Sequence, residues 1–284
     1  MSENNERPSV ISISSHVARG SVGNRGAVFA LESFGFPVWS VPTVILPWHP
    51  GHGYGTRIVP ESSQFTALME DLANAPWINE VEAVLTGYLA NPEQVQIIAD
   101  FLDKLRENNP DLIQVCDPVI GDTEGLYVAE ETASAIRDYL LPRSEILTPN
   151  RFELKWLCGQ SSGDDLKNLA EMAQDIASPF VLVTSAPGKA DKEISNLFVS
   201  DKQHLMAHHE KIKNPPHGTG DLTAAVFLAN LLSGLEFREN LQLTTASVFE
   251  VLKNAAERGS EELMLETDMT SLLDPQVEIE VREL

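Results

Sequence analysis

The sequence predicts an α/β fold built on a central, mostly parallel sheet. Three observations predict it. Apolar, β-branched runs of strand length alternate with segments of helical period along nearly the whole chain, the pattern of repeated βαβ units. Some strand-like runs, such as "FVLV" at 180–183, are apolar without a break, as strands covered on both faces should be. The segments after six successive strand candidates are rich in Gly, Pro, Ser, Thr and acids, and open α/β sheets bind their ligands at those carboxyl ends.

The elements follow in order. "VISISSHV" reads as the first strand and "NRGAVFALESFG" as the helix after it, closed by Gly35. "FPVWSVPTVIL" is a second strand and "SSQFTALMEDLANA" a helix. "EAVLTGYL" is a strand, and "NPEQVQIIADFLDKLREN" a helix with Pro92 in its first turn. "LIQVCDPVI" (112–120) is a strand, "EETASAIRDYLL" (130–141) a helix, and "EILTPN" a short strand. "RFELKWLCG" and "DDLKNLAEMAQDIA" are helices, and "FVLVTSA" is a strand. "ISNLFVSDKQHLMAHHEKI" alternates as a hairpin around "SDKQ". Helices are expected after "HGTGD" and over "TTASVFEVLKNAAERG" (244–259), and "DPQVEIEVREL" alternates as a last edge strand. No break in composition, repeat or low-complexity tract interrupts the 284 residues, so one domain over 1–284 is expected.

Composition excludes several classes of function. Apolar residues make up 43% of the chain, which suits a globular core. The formal net charge of −22 argues against nonspecific nucleic-acid binding and against anionic membranes. It does not exclude a nucleotide, because a local nest of N–H groups binds phosphate on an acidic protein. Cys116 and Cys158 make no disulfide framework, and Cys116 falls in an apolar run that predicts a buried free thiol. The start "MSENNERPSV" is polar and lacks an apolar signal core. The longest apolar stretch, "FPVWSVPTVILPW", is broken by three prolines and is too short to span a bilayer as a helix. A reduced, cytoplasmic setting is the expectation.

The stretch "HGTGD", 217–221, is the sharpest local signal. Two glycines flank Thr219, and Asp221 follows just ahead of a long apolar run. A helix begins here, with Asp221 in its first turn or at its cap, where a carboxylate is favoured. The glycines let several N–H groups point outward together, an anion site at a helix N-terminus. A plain cap needs the carboxylate but not both glycines. These residues alone leave both readings open.

The ordered set "SHVARGSVGN", "LTGY", "CDPVIGD", Tyr127–Val128, "TPNRFE", "VTS", "GTGD" and the tail from "ELMLE" to "VREL" resembles the pyridoxal kinases of the ribokinase-like superfamily, nearly end to end. The resemblance implies a three-layer α/β/α sandwich with a mostly parallel central sheet, ATP with Mg²⁺ as phosphoryl donor, a vitamin B6 form as acceptor, and a homodimer. A monovalent cation, K⁺ or Na⁺, is an open further requirement. It implies that Asp221 is the general base and that the N–H groups of Gly218, Thr219 and Gly220 hold the charge developing on the γ-phosphoryl oxygens. Asp117, Asp122, Thr148 and Glu153 match metal positions. Asp117, Tyr127, Asn150, Glu153, Thr184, Ser185 and Thr219 match nucleotide positions. Ser15, His49, Tyr88 and Asp221 match acceptor positions, with His49 and Tyr88 flanking a flat ring.

Plainer readings stand beside these. Asp122 is a turn acid in "GDTEG", and Glu153 an acid in a helix first turn. Thr184 and Ser185 are capping hydroxyls, Tyr88 is a half-buried core aromatic, and His49 packs a loop. Two departures bear on the acceptor. Ser14 stands where these kinases carry Gln, and Trp48-His49-Pro50 replaces Asn-His-Thr, so a hydroxyl and an N–H are missing at Pro50. A hydroxymethylpyrimidine kinase, a kinase of another small alcohol, and a non-catalytic binder of nucleotide or vitamer are the competing readings. "GHGYGT" reads as a flap at the cleft. His217 falls at a lid position. His204 and His208, with His209 beside them, would share a strand face on which zinc is conceivable.

Overall fold

The computed structural model describes residues 7–160 and 163–284. The first six residues of the polar N-terminal stretch lie outside the described residues.

Nine strands form one sheet in the order β11-β10-β9-β8-β7-β4-β3-β1-β2. Six run parallel: β1 (Ser9–Val17), β2 (Val38–Leu46), β3 (Val81–Thr86), β4 (Ile113–Cys116), β7 (Ile146–Leu147) and β8 (Phe180–Pro187). The hairpin β9 (Glu193–Ser200) and β10 (His204–Glu210) continues the sheet antiparallel, and β11 (Val281–Glu283) closes that edge. A two-stranded ribbon, β5 (Gly121–Asp122) and β6 (Gly125–Leu126), stands apart.

Both faces of the sheet are covered, and the alternation of buried side chains shows it. Ile11, Ile13, Val84, Val181 and Val183 face one core, with α2 (Ser62–Ala73), α3 (Pro92–Asn108), α4 (Glu130–Ala135), α5 (Arg151–Leu157) and α6 (Leu166–Asp175). Val10, Ala83, Leu85, Leu182 and Phe198 face the other, with α1 (Asn24–Ser33), α7 (Thr219–Leu232), α8 (Phe237–Glu257) and α9 (Met269–Leu273). The unbroken apolar strands follow from this double burial. Helix α7 lies inside its layer, and Leu222 to Asn230 are buried without interruption.

Local signals place the helix starts. Asn91 accepts the Gln94 N–H, and Pro92 holds the first position of α3. Asn150 and Glu153 form a reciprocal capping box on α5. Pro42 is tolerated in β2 because that strand lies at the sheet edge, and its pairing with β1 shifts register between Ser14 and His16.

Several boundaries differ from the sequence expectation. The strand expected over 112–120 stops at Cys116, since Pro118 has no N–H to give and Val119 turns to φ +38°. The helix expected over 130–141 widens into a π turn over Ile136–Leu140 before Pro142. Helix α8 starts at Phe237, ahead of the apolar run that suggested it. The tail strand pairs over three residues only.

The loop between β1 and α1 is anchored by Asn24, which is fully buried. Its Oδ1 accepts the Ser12 hydroxyl at 2.8 Å, and its Nδ2 donates to the carbonyls of Ser14 (3.2 Å) and Val41 (3.0 Å). Asn24→Ala is expected to lower stability by about 2–4 kcal/mol, because it leaves buried polar groups on two strands unpaired. The check is a lower urea midpoint at unchanged slope.

Candidate active site

The site residues lie in a row beyond the carboxyl ends of the strands, and backbone hydrogen bonds past the strand ends fix the row. Gly87 N–H donates to Ile13 O (2.9 Å), Asp117 N–H to Thr86 O (2.8 Å), Thr148 N–H to Cys116 O (3.0 Å) and Thr184 N–H to Pro149 O (2.8 Å). The strand order reverses between β1 and β3. At this switch point Tyr88 N–H donates to Ser14 Oγ at 3.1 Å.

Helix α7 aims its N-terminus at the row. Gly218 is the N-cap in the left-handed region (φ +97°), and a Cβ there would stand 2.6 Å from the Ser21 carbonyl oxygen. Only glycine meets both demands without strain. Gly23 is equally constrained: φ is +58°, and a Cβ would stand 2.4 Å from Ser15 Oγ. Asp221 follows in the first turn of α7, so its carboxylate, Ser15 and Gly23 meet. A Cβ on Gly87 would lie 3.8 Å from Asp221 Oδ1, and one on Gly220 3.9 Å from Asp117 Oδ2, so both acids border one cleft.

Electrostatics set this cleft apart. Burial pushes Asp221 up to about 6, against the downward pull of the N–H groups of Gly23 and of its own residue. Burial, then the charges of Glu153 and Asp221, hold Asp117 well above the usual carboxylate range. Burial pushes Glu153 up to about 7, although its oxygens accept from Asn150 (2.8 Å), Ile120 (2.9 Å) and Gly121 (3.4 Å) N–H groups. Thr148 Oγ1 is buried beside them without a hydrogen-bond partner. All-oxygen donors with unrelieved negative charge suit a hard cation such as Mg²⁺, which takes one or two carboxylates and keeps other positions for waters and phosphates. Among the described residues no three His, Cys, Asp or Glu side chains form a ready metal cage.

The remaining candidates divide. Asn150 faces inward and is fully engaged, capping α5 through Oδ1 and donating from Nδ2 to Gly121 O at 2.8 Å. Asp122 lies on the ribbon, where its Oδ1 accepts the Glu124 N–H (2.7 Å), a turn contact that leaves Oδ2 for another partner. Tyr127 is 52% exposed, and partial burial with Asp122 and Glu153 holds its phenol above the ordinary range. Thr184 is half-buried, whereas Ser185 sits exposed at φ +56° in a bulge of β8. His49 is stacked on His217 with ring centroids 3.8 Å apart, and His52 stands edge-on to both. Burial and these two neighbours pull His49 down to about 4, so it is neutral at pH 7. Tyr88 keeps its hydroxyl on Arg57 (2.9 Å), whose guanidinium lies over the ring.

The sequence of this chain is 30% identical over 281 residues to Pyridoxal kinase PdxY of Corynebacterium diphtheriae, covering 97% of this chain and 99% of that one. The chain belongs to the pyridoxal kinases. Pyridoxal kinase PdxY of Granulibacter bethesdensis is 33% identical, covering 94% of this chain and 96% of that one. The structure of pyridoxal kinase from Leishmania donovani in complex with ADP and pyridoxamine superposes with a TM-score of 0.91 at 28% identity, covering 98% and 99% of the two chains. A family model described as phosphomethylpyrimidine kinase matches residues 59–266.

One expectation changes. The zinc idea on β10 has no support among the described residues: His204 Nε2 pairs with Gln174 Oε1 (2.7 Å) and His209 packs on the Phe249 ring. Sequence reasoning also missed residues that join the cleft. Gly23 was visible within "SVGN", but its closeness to Asp221 was not. His52 and Glu262, at 2.9 Å, carried no signal because 210 positions separate them.

The Asp221 shift has a consequence for stability. Its folded pKa lies above the ordinary value, so the folded state carries a disfavoured anion above pH 6, and no such cost remains below about pH 4, where the acid is protonated both folded and unfolded. Asp221→Asn is therefore expected to raise the melting temperature at pH 7 and to lose that gain near pH 4, read by paired thermal melts.

Proposed function

We propose that this chain is an ATP-dependent kinase that phosphorylates the 5′-hydroxymethyl group of pyridoxal, with pyridoxine and pyridoxamine as further acceptors, giving pyridoxal 5′-phosphate from pyridoxal. One observation carries the reading: a half-buried base, Asp221, stands in the first turn of α7 beside the left-handed Gly218 cap, bordering the same cleft as the strand-end Asp117. Family membership and the solved complex with ADP and pyridoxamine support it.

Asp221 takes the proton of the acceptor hydroxyl as its oxygen attacks the γ-phosphorus and the bond to the ADP oxygen breaks. A base near pKa 6 is mostly ionised at pH 7 yet still accepts a proton. The N–H groups of Gly218, Thr219 and Gly220 sit where helix dipole and left-handed turn concentrate positive potential for the phosphoryl oxygens. Asp117, Asp122, Thr148 and Glu153 are the residues that would hold Mg²⁺, which would supply neutralisation of the phosphate charge. Asn150 and Glu153 shape the nucleotide loop, and Tyr127, Thr184 and Ser185 line its approach. Ser15, His49 and Tyr88 form the acceptor side. Homodimerisation and a cytoplasmic setting belong to the same reading. Beside the edge strand β2, Ile58 pairs with Ile45 through two backbone hydrogen bonds, and the exposed side chains of both offer apolar surface for a second copy.

Phosphorylation of hydroxymethylpyrimidine is a second reading, favoured by the matching family model and by Pro50 beside His49. The test offers pyridoxal, pyridoxine, pyridoxamine and hydroxymethylpyrimidine separately with Mg-ATP and measures ADP release. Release with pyridoxal is expected, and release with hydroxymethylpyrimidine alone overturns the first reading. Asp221→Ala is expected to abolish turnover while ATP binding persists. Gly218→Ala is expected to lower kcat about 10²-fold, the effect of displacing one transition-state donor. In the parent enzyme, kcat/KM is expected to fall about tenfold per pH unit below pH 6, as Asp221 is protonated.

A further inference from the structure

Glu262 is 7% exposed and opens the "ELMLE" stretch, to which no catalytic, metal, nucleotide or acceptor role was assigned above. The segment carrying it is fixed from both sides: Ser21 Oγ donates to Leu263 O at 2.8 Å, Ser260 Oγ donates to Glu262 O at 2.6 Å, and the Glu262 backbone bridges to His217, next to the Gly218 cap. From there the carboxylate reaches two cleft loops. Its Oε1 takes His52 Nε2 at 2.9 Å and Arg19 Nη1 at 3.2 Å. Its Oε2 is buried without a partner, against the backbone of Gly20: a Cβ there would stand 2.6 Å away. Thus one carboxylate joins the loop after β1, the loop after β2 and the strand of chain leading into α7.

We propose that Glu262 is a positioning residue for the acceptor: through His52 it holds the 47–57 loop so that His49 stays stacked on His217 over the acceptor side of the cleft. The inference rests on the kinase reading above. The fixed backbone of Glu262 makes it the anchor, and the loop is the part that yields. Segment 50–57 has one short helical turn, Pro50–His52, a glycine at every second position from 51 to 55, and Tyr54 fully exposed. Its other ties are Trp48 Nε1 donating to Gly53 O (3.1 Å) and Arg57 donating to the Tyr88 hydroxyl (2.9 Å), so His52 is the loop's link to the segment leading into α7. His49, by contrast, touches the acceptor in the kinase reading; Glu262 acts only through His52.

Glu262→Gln and His52→Gln test this. Each is expected to raise the acceptor KM about tenfold, the size of one charge-assisted hydrogen bond, with KM for ATP and kcat within about twofold. The double variant is expected to match Glu262→Gln alone, because the His52 contribution runs through Glu262, whereas Glu262→Gln also weakens the Arg19 pair. An equal rise in the ATP KM, additive effects, or an unchanged acceptor KM in His52→Gln overturns the proposal. His52→Gln keeps the test decisive should Glu262→Gln fold poorly. Trypsin cleavage after Arg57, which is exposed on this loop, gives a readout free of catalysis. Both variants are expected to be cut several-fold faster than the parent at an unchanged melting temperature. If the parent phosphorylates none of the vitamers yet the cleavage difference appears, the latch stands and the kinase reading fails. Equal cleavage rates in an active parent and both variants overturn the latch alone.

Discussion

Backbone hydrogen bonds that continue past the strand ends hold Gly87, Asp117, Thr148 and Thr184 in register, and the cleft depends on that row. A loop residue normally wanders because nothing pairs its N–H. Here each of these four donates to a neighbouring strand or to the residue following one. The side chains therefore stand at sheet spacing, on sheet-like backbone, although three of the four lie outside the strands themselves. Rigid placement of this kind is what phosphoryl transfer asks of a protein, since positioning and charge do most of the chemistry.

The second constraint is electrostatic. Asp117, Glu153 and Asp221 share a desolvated cleft, and all three are held above the usual carboxylate range. The chain relieves this only in part. Backbone N–H groups serve Glu153 and Asp221, and the positive end of α7 lies behind the latter. The residual negative charge and the unpartnered Thr148 hydroxyl make the cleft receptive to a hard cation arriving with phosphates. Helix α7 can serve as the carrier because it is buried along its length, so its first turn is held by the core rather than by its own cap.

The loops that the proposed function assigns to the acceptor are built differently. Three imidazoles, Tyr88 and Arg57 pack loops against one another through rings and one buried carboxylate rather than through sheet bonds. Ser14, the position expected from the resemblance to carry Gln, accepts the Tyr88 N–H on its hydroxyl oxygen and so tightens the switch point between β1 and β3. The change at Ser14 therefore has a structural use. The change at Pro50 is accommodated as the first residue of a short helical turn capped by His49, which needs no N–H there.

Much was legible in the sequence because it was local. The alternation of strands and helices, the doubly covered apolar strands, the capping box of Asn150 and Glu153, and the glycine-flanked start of α7 all arise from neighbours within four residues, where propensity and hydrogen bonding act directly. Boundaries near Pro118 and Pro142 were less legible, because left-handed and π turns there are chosen by packing rather than by period. What only the tertiary structure decided is which distant groups share low-dielectric space. Asp117 meets Asp221, Gly23 meets Ser15 and Asp221, and His52 meets Glu262 because the sheet order brings those loops together. The sequence alone thus determined the elements and the reactive residue types. Their altered pKa values and their partnerships came from folding, because burial and through-space charge have no counterpart along an extended chain.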